Sequence, residues 1–375
     1  MGTKKLKVFE AFAGIGAQSV ALKRANINFE NVGISEWFVN AILAYDAINN
    51  SDIPEPPLPS YEKQIEYLSQ FTFSWDSQNP IKDIRKLKKD IIRRLYIANK
   101  RCKNYGSITE IKPEDFPKCD LLTYSFPCQD LSTGGKTLGM KKGSNTRSGL
   151  LWEIERILFG LKKLNKLPEY LLLENVPTLL ANSNIDDFQT WLNELEELGY
   201  KNSNPAILSG DDFGVPQDRR RCIVVSSLHH RLDLNKIEKK EKPDTLDFFY
   251  GDYTNPIYKA EADEASLNPT ISREKMWEIN QRDPVTSSTI FHTITCNLDR
   301  SNNAGMVKYN LFPGRKYRLL TSRECFNMMG FNNDEYAKLQ TLHLSYRQRN
   351  KLIGNSIIVN VLQAVFEYML KGYRL

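Results

Sequence analysis

The sequence predicts an α/β fold: a mixed, mostly parallel sheet with helices on both faces, joined to a smaller second lobe. Three observations predict it. Leu6–Ala13 is an apolar stretch that runs into Gly14-Ile15-Gly16 and then a helical segment from about Gln18 to Ala25. Strand, glycine turn and helix open a nucleotide-binding unit. Two further apolar runs, Leu121–Phe126 and Glu169–Leu173, are too short for helices and read as buried strands. Beyond Ser226 the pattern changes to a polar, irregular stretch that suits a separate lobe. The first lobe should hold residues 1–225 and 346–375, and the second residues 226–345.

At 375 residues the chain can bury a substantial core. Its 51 Lys/Arg against 45 Asp/Glu give a net charge of +6, which suits a polyanionic partner without proving one. Six cysteines show no CxxC pairing, so neither a disulfide framework nor a metal site is expected. The apolar run near the N-terminus is interrupted by Glu10, which argues against a signal peptide, and no membrane span is expected. A cytoplasmic, monomeric protein is the simplest expectation.

Taken in order, each element has a reason. The glycines of the first turn let backbone approach a ligand closely, and the missing third glycine of the dinucleotide fingerprint argues against NAD. Glu36 follows Gly16 by 20 residues, the spacing of an acid that binds ribose hydroxyls, and Trp37 offers a flat face for an adenine. A solvated carboxylate at a helix start is the bland alternative for Glu36. Ser51–Ser60 holds four prolines and reads as a loop. Lys82–Lys103 carries ten Lys/Arg against two Asp, with Ile84, Leu87, Ile91 and Leu95 at helical spacing. It reads as one amphipathic basic helix, and its charges read as a solvated face more readily than as a DNA-phosphate contact. Gly149–Leu164 and Phe188–Leu198 read as helices, the second closed by Gly199.

Pro127 cannot donate to a ladder, so strand pairing should stop there and present Cys128 just past a strand end. Open α/β sheets place ligands at that edge. A thiol there is either a nucleophile or a small buried hydrophobe. Glu174-Asn175-Val176 ends a second strand and brings a carboxylate to the same edge. Ser132–Ser148 is a glycine-rich, basic loop suited to closing over nucleic acid. In Gln217–Arg221, Arg219 and Arg221 would share one face of an extended segment. Residues 226–310 hold 11 Lys/Arg against 13 Asp/Glu, so any nucleic-acid readout there falls to individual loop side chains. Tyr317–Phe331 has helical periodicity, and Gly354-Asn355-Ser356-Ile357 precedes a last helix at Ile358–Leu370.

Six stretches in this order resemble the cytosine-5 DNA methyltransferases: Phe9–Gly16, Ser125–Gln129, Glu174–Val176, Gln217–Arg221, Arg318–Phe331 and Gly354–Ile357. Tyr124–Ser132 and Arg147–Leu158 resemble in particular the mollicute enzymes that methylate CG dinucleotides. The resemblance implies a class I S-adenosylmethionine-dependent methyltransferase, with a Rossmann-like mixed sheet and a target-recognition domain at 226–345. It implies S-adenosylmethionine bound by Phe12, Gly14, Ile15, Gly16, Glu36, Trp37, Ser107, Ile108, Pro127, Asn355 and Ser356. S-adenosylhomocysteine would be the product. Ser107 stands where the family usually has an aspartate that accepts from the adenine amine. Gln129, Ser132, Asn175, Thr293 and Thr295 would contact the substrate, double-stranded DNA. Where such an enzyme serves a bacterial restriction-modification system, the resemblance implies a cognate restriction endonuclease as its partner.

The implied chemistry uses Cys128 as nucleophile on carbon 6 of a flipped cytosine. A free thiol has a pKa of about 8.5, so backbone N–H groups and a nearby arginine must raise the thiolate fraction. Glu174 would protonate nitrogen 3 and bind the exocyclic amine; burial or the base itself must favour its neutral form. Arg221 would meet the base carbonyl, and Arg219 would support the loop or a phosphate. Three rivals remain: a tRNA cytosine-5 methyltransferase of the same architecture, an inactive DNA-binding relative, and a nicotinamide-linked oxidoreductase. The long 226–345 region disfavours the first, the intact Cys128 and Glu174 the second, and the missing glycine the third.

Overall fold

The computed structural model describes residues 4–127, 148–266, 268–279, 284–298, 305–312 and 315–374. The chain opens with β1 (Leu6–Ala11), α1 (Ala17–Arg24), β2 (Phe29–Ser35), α2 (Val39–Asn49), α3 (Tyr61–Leu68) and α4 (Lys89–Arg101). It continues through β3 (Leu121–Tyr124), α5 (Leu151–Lys163), β4 (Tyr170–Asn175), α6 (Ile185–Leu198), β5 (Lys201–Asn202) and β6 (Ala206–Ser209). Then come β7 (Gln217–Asp218), β8 (Arg220–Ser227), α7 (Pro256–Glu264), α8 (Ile271–Ile279), β9 (Phe291–His292), β10 (Met306–Phe312) and β11 (Arg315–Leu319). Four helices close the chain: α9 (Ser322–Met328), α10 (Asn333–Gln340), α11 (Tyr346–Gly354) and α12 (Val359–Met369).

Contacts divide the chain into two units. The first holds Met1–Leu208, Arg220–Ile237 and Gln363–Leu375; the second holds Ser209–Arg219 and Glu238–Leu362.

The first unit is built on a sheet of order β2-β1-β3-β4-β8-β5, with β6 also on β8. β2, β1, β3 and β4 are parallel, while β8 runs antiparallel to β4 and β5. This is the mixed, mostly parallel sheet expected. Side chains alternate across a strand, and β1 shows the consequence. Phe9 and Ala11 join the core that includes Leu158 of α5 and Trp191 of α6. Glu10 points the other way, to Ser19 of α1 and Tyr45 of α2. Helices therefore cover both faces. Fully buried side chains such as Trp191 and Phe188 each contribute about 1.5–3 kcal/mol of burial. α6 begins three residues earlier than its apolar spacing shows, with Asp186 and Asp187 in its first turn, and ends at Gly199 with φ 104°.

Three expectations are corrected. The boundaries are not at 226 and 346. Arg231 donates to Asn202 O at 2.6 Å, and Leu232, Leu234 and Ile237 are buried, which keeps the chain with the first unit through Ile237. On the return, Tyr346 donates to Leu320 O at 2.7 Å and Arg349 pairs with Glu264, which keeps α11 in the second unit. Lys82–Lys103 is not one helix. A short 3-10 turn at Ile84–Lys86 is followed by extended backbone at Leu87 and Lys88 before α4 starts. Tyr317–Leu319 is strand, and helix begins only at Ser322, where Thr321 and Glu324 form a capping box.

In the second unit, β10 and β11 pair antiparallel, and β7 pairs with β9. Arg318 is fully buried and grips Glu324 with two 2.8 Å bonds. Glu324 also accepts from the backbone N–H of Thr321 and Tyr250. This satisfied buried pair fixes the end of the hairpin to the start of α9. The stretch Tyr346–Met369 is apolar and long enough to cross a membrane, but 67% of its most apolar window is buried within the protein.

Candidate active site

The first turn is set by two glycines with positive φ, Gly14 (56°) and Gly16 (81°), and by Phe12 at 56°. A Cβ on Gly16 would lie 2.2 Å from Asn49 Nδ2 and 2.8 Å from the Tyr45 ring, so only glycine fits. A Cβ on Gly14 would meet nothing within 4 Å, so that turn faces open space. Ile15, between them, is buried.

Glu36 leaves the end of β2 and closes on this turn. Its Oε2 accepts from Gly14 N–H at 2.9 Å, and its Oε1 from Trp37 N–H at 2.9 Å and Phe38 N–H at 2.8 Å. Burial pushes its carboxyl above the ordinary carboxylate range, while the three backbone donors pull against that shift. This is not a solvated helix-start carboxylate. Trp37 is half-buried beside it.

Asn104 joins Glu36 to the opposite wall. Its Oδ1 accepts from Glu36 N–H at 3.0 Å and from Gly106 N–H at 3.1 Å. Its Nδ2 donates to Glu36 O at 2.9 Å and Asn99 Oδ1 at 2.7 Å. Ser35 Oγ donates to Gly106 O at 2.8 Å. Ser107 and Ile108 follow directly; Ile108 is buried, and Ser107 Oγ lies 2.8 Å from Thr109 Oγ1. The sequence reading missed Asn104. Its one signal is an amide two residues before Gly106, in a stretch paired with β2.

An open space above Gly14, a carboxylate fixed by three amides and a half-buried indole fit a ribose and an adenine. These residues would hold S-adenosylmethionine.

At the β3 and β4 ends, Glu174 is 6% exposed and its Oε1 meets Arg221 Nε at 3.1 Å. Arg221 sits on β8 opposite β4, where Glu174 pairs with Ile223. Asn175 Nδ2 donates to Phe126 O at 3.0 Å, and its Oδ1 accepts from Val176 N–H at 2.9 Å. One N–H and one lone pair of the amide thus go to backbone, which ties it to the β3 exit. Pro127 O accepts from Ser148 Oγ at 2.8 Å. Cys128, Gln129 and Ser132 lie outside the described residues.

The remaining predicted residues belong to the second unit. Arg219, expected to support the loop or a phosphate, is 3% exposed and donates to Ile294 O, Gly354 O and Ser356 O at 2.7–2.8 Å. Its partners are backbone carbonyls, which makes it a positioning residue. Thr293 Oγ1 donates to Asp218 O at 2.9 Å, and Thr295 Oγ1 to Asn297 O at 3.1 Å. Asn355 Oδ1 accepts from Cys296 Sγ, and Ser356 is buried.

Comparison with known proteins gives a concordant result. A family model for C-5 cytosine-specific DNA methylases matches residues 81–371. The orphan methyltransferase M.SssI of Spiroplasma monobiae is 37% identical over 391 aligned positions, covering 97% of both chains. The type II methyltransferase M2.ScrFI of Lactococcus lactis is 33% identical and covers 98% of this chain and 99% of its own. The crystal structure of the Dnmt2 methyltransferase of S. pombe superposes with a TM-score of 0.66 at 19% identity, covering 99% of this chain and all of that one.

Proposed function

The chain belongs to the C-5 cytosine-specific DNA methylase family, and from that premise we propose how its own residues divide the work. The enzyme transfers a methyl group from S-adenosylmethionine to carbon 5 of cytosine in DNA, in a restriction-modification system or as an orphan methylase. Bound at the Gly14–Glu36 turn, S-adenosylmethionine supplies the methyl electrophile and departs as S-adenosylhomocysteine.

Cys128 is the nucleophile. Its thiolate forms a bond to carbon 6, the ring electrons move toward nitrogen 3, and Glu174 delivers the proton there. Carbon 5 is then an enamine carbon able to take the methyl group. A base then takes the carbon 5 proton, the carbon 5–carbon 6 double bond reforms as the thiolate is expelled, and the nitrogen 3 proton returns to Glu174. Arg221 reaches the base carbonyl while keeping hold of Glu174. The observation that carries this assignment is the Glu174–Arg221 pair, nearly buried and anchored on adjacent strands at the sheet edge. The cytosine must leave the stack to reach it, which costs a few kcal/mol.

Target recognition falls to the second compact unit, Ser209–Arg219 with Glu238–Leu362, in place of the 226–345 expected from sequence, and it chooses the site together with residues 132–148. The site is short and contains CG. The enzyme acts as a monomer in the bacterial cytoplasm, and a cognate endonuclease is encoded with it when it serves restriction.

The test is a trap. Duplex DNA with 5-fluorocytosine at the target cannot lose fluorine as a cation, so a denaturation-resistant adduct at Cys128 is expected in the presence of S-adenosylmethionine. Cys128→Ser should form none, because an alcohol is far less ionised than a thiol near neutral pH. Methyl transfer by Cys128→Ser at the parent rate would overturn the chemistry. A trapped fluorinated tRNA with an untouched duplex would move the substrate to RNA.

A further inference from the structure

The positive charge of this chain is concentrated in one place. Residues 82–103 carry ten Lys/Arg and two Asp, a net of +8, so the other 353 residues together sum to −2. An enzyme that handles a polyanion thus has its charge excess outside the residues that perform the chemistry.

The placement of this stretch is specific. Ser74 N–H donates to Trp37 O at 2.7 Å, and Ile81 N–H donates to Phe73 O at 2.7 Å. Lys82 therefore starts at the loop after β2, on the carboxyl edge where open sheets take their ligands. α4 then runs back toward the amino edge, where Lys103 reaches Glu30 of β2 at 3.3 Å. The carboxyl-edge part holds Lys82, Arg85, Lys86, Lys88 and Lys89, all exposed. Arg85 is paired with Asp83 at 2.9 Å. Among the described residues, no carboxylate stands within ion-pair distance of Lys82, Lys86, Lys88 or Lys89.

This face is also firmly backed. Ile84, Ile92 and Leu95 are buried beneath it. Extended backbone at Leu87 and Lys88, which breaks the helix, separates Arg85 and Lys86 from Lys89. Cations spread along an extended stretch match a row of phosphates better than cations stacked on one helical turn. Duplex DNA presents one negative charge per about 1.7 Å of axis.

We propose that the exposed lysines of residues 82–89 form an accessory surface for the phosphates of duplex DNA flanking the methylated site. The inference rests on the DNA reading above and adds to it a contact outside the reacting cytosine. Such contacts position the enzyme without reading sequence, and they add affinity on long DNA through counterion release.

The experiment uses the full chain and two duplexes with one central CG, about 40 and about 12 base pairs long. Kd is measured against salt for the parent, for Lys86→Gln/Lys88→Gln/Lys89→Gln, and for Lys118→Gln/Lys163→Gln/Lys236→Gln, which removes the same charge elsewhere. On the long duplex the first variant should lower the slope of log Kd against log salt by about 1 to 3. On the short duplex it should match the parent, and the control variant should match the parent on both. Melting temperatures and S-adenosylmethionine affinity should be unchanged in both variants. An unchanged slope on the long duplex overturns the proposal. An equal loss on both duplexes overturns the flanking location, and an equal loss in the control overturns the local assignment. A parent that binds no duplex sinks the DNA reading itself, a result distinct from all of these.

Discussion

Two carboxylates stand at strand ends of the same sheet and are held in opposite ways. Glu36 is gripped by three backbone N–H groups and linked through Asn104 to Gly106. Among the described residues, Glu174 has one ion pair, to the side chain of Arg221. Backbone donors cannot turn away without undoing the local fold, whereas a guanidinium can shift by side-chain rotation. Glu36 is built to offer a fixed acceptor to a ligand. A single side-chain partner leaves Glu174 able to change partners, as the proposed proton transfer requires.

Kinetics can break that comparison. Glu174→Gln should lower kcat by about 10²- to 10⁴-fold, as loss of a general acid does, while S-adenosylmethionine affinity stays at the parent value. Were the affinity to fall and kcat to survive, the two carboxylates would have exchanged roles. Glu36→Gln should behave in the converse way. An amide places a donor where an acceptor is needed, so the cofactor Kd should rise by about 10- to 100-fold. Single-turnover methylation at saturating cofactor should be retained, and a collapse of that rate would tie Glu36 to the chemistry.

The smallest effect sharpens the comparison with a third carboxylate. Glu10, on β1 between them, is fully buried and receives Ser19, Tyr45 and Asn31 on Oε1, while Oε2 has no partner. Burial pushes its carboxyl above the ordinary range, so folding favours its protonated form. The stability it contributes is full at low pH and is lost as pH rises through the folded-state value. Glutamine does not titrate there. The melting temperature of Glu10→Gln relative to the parent should therefore climb as pH is raised from about 5 to about 8. A difference that stays flat from about pH 5 to about 8 would show that Glu10 is charged in the native protein.

The sequence made some of these features legible and hid others. Glu36 was visible from its 20-residue distance to Gly16, because the length of a βαβ unit fixes that spacing. The three amides on it were not, since backbone donors carry no residue signature. Alternation along an extended segment put Arg219 and Arg221 on one face. It carries no signal of their partners: Arg219 holds carbonyls of the second unit, and Arg221 holds Glu174 of the first. Helical spacing joined Ile84 to Leu95 across Leu87 and Lys88, whose extended backbone apolar periodicity cannot detect. Asn175 reads as a polar residue near a site, and only the position of Phe126 O reveals that its amide also braces the β3 exit.

The short segment Ser209–Arg219 has a consequence for how specificity can be exchanged between relatives. It is separated in sequence from the rest of the second unit, yet Gln217 bonds Met328 O and Ile294 N–H, and Arg219 bonds the carbonyls of Ile294, Gly354 and Ser356. Those carbonyls all lie within the 238–362 stretch. A recombinant that imports this stretch from a relative therefore inherits a lock cut for someone else's key, unless the eleven residues 209–219 travel with it. Exchange is clean only as a two-piece cassette, and natural recombination at a single crossover would be punished by a buried guanidinium with nothing to hold.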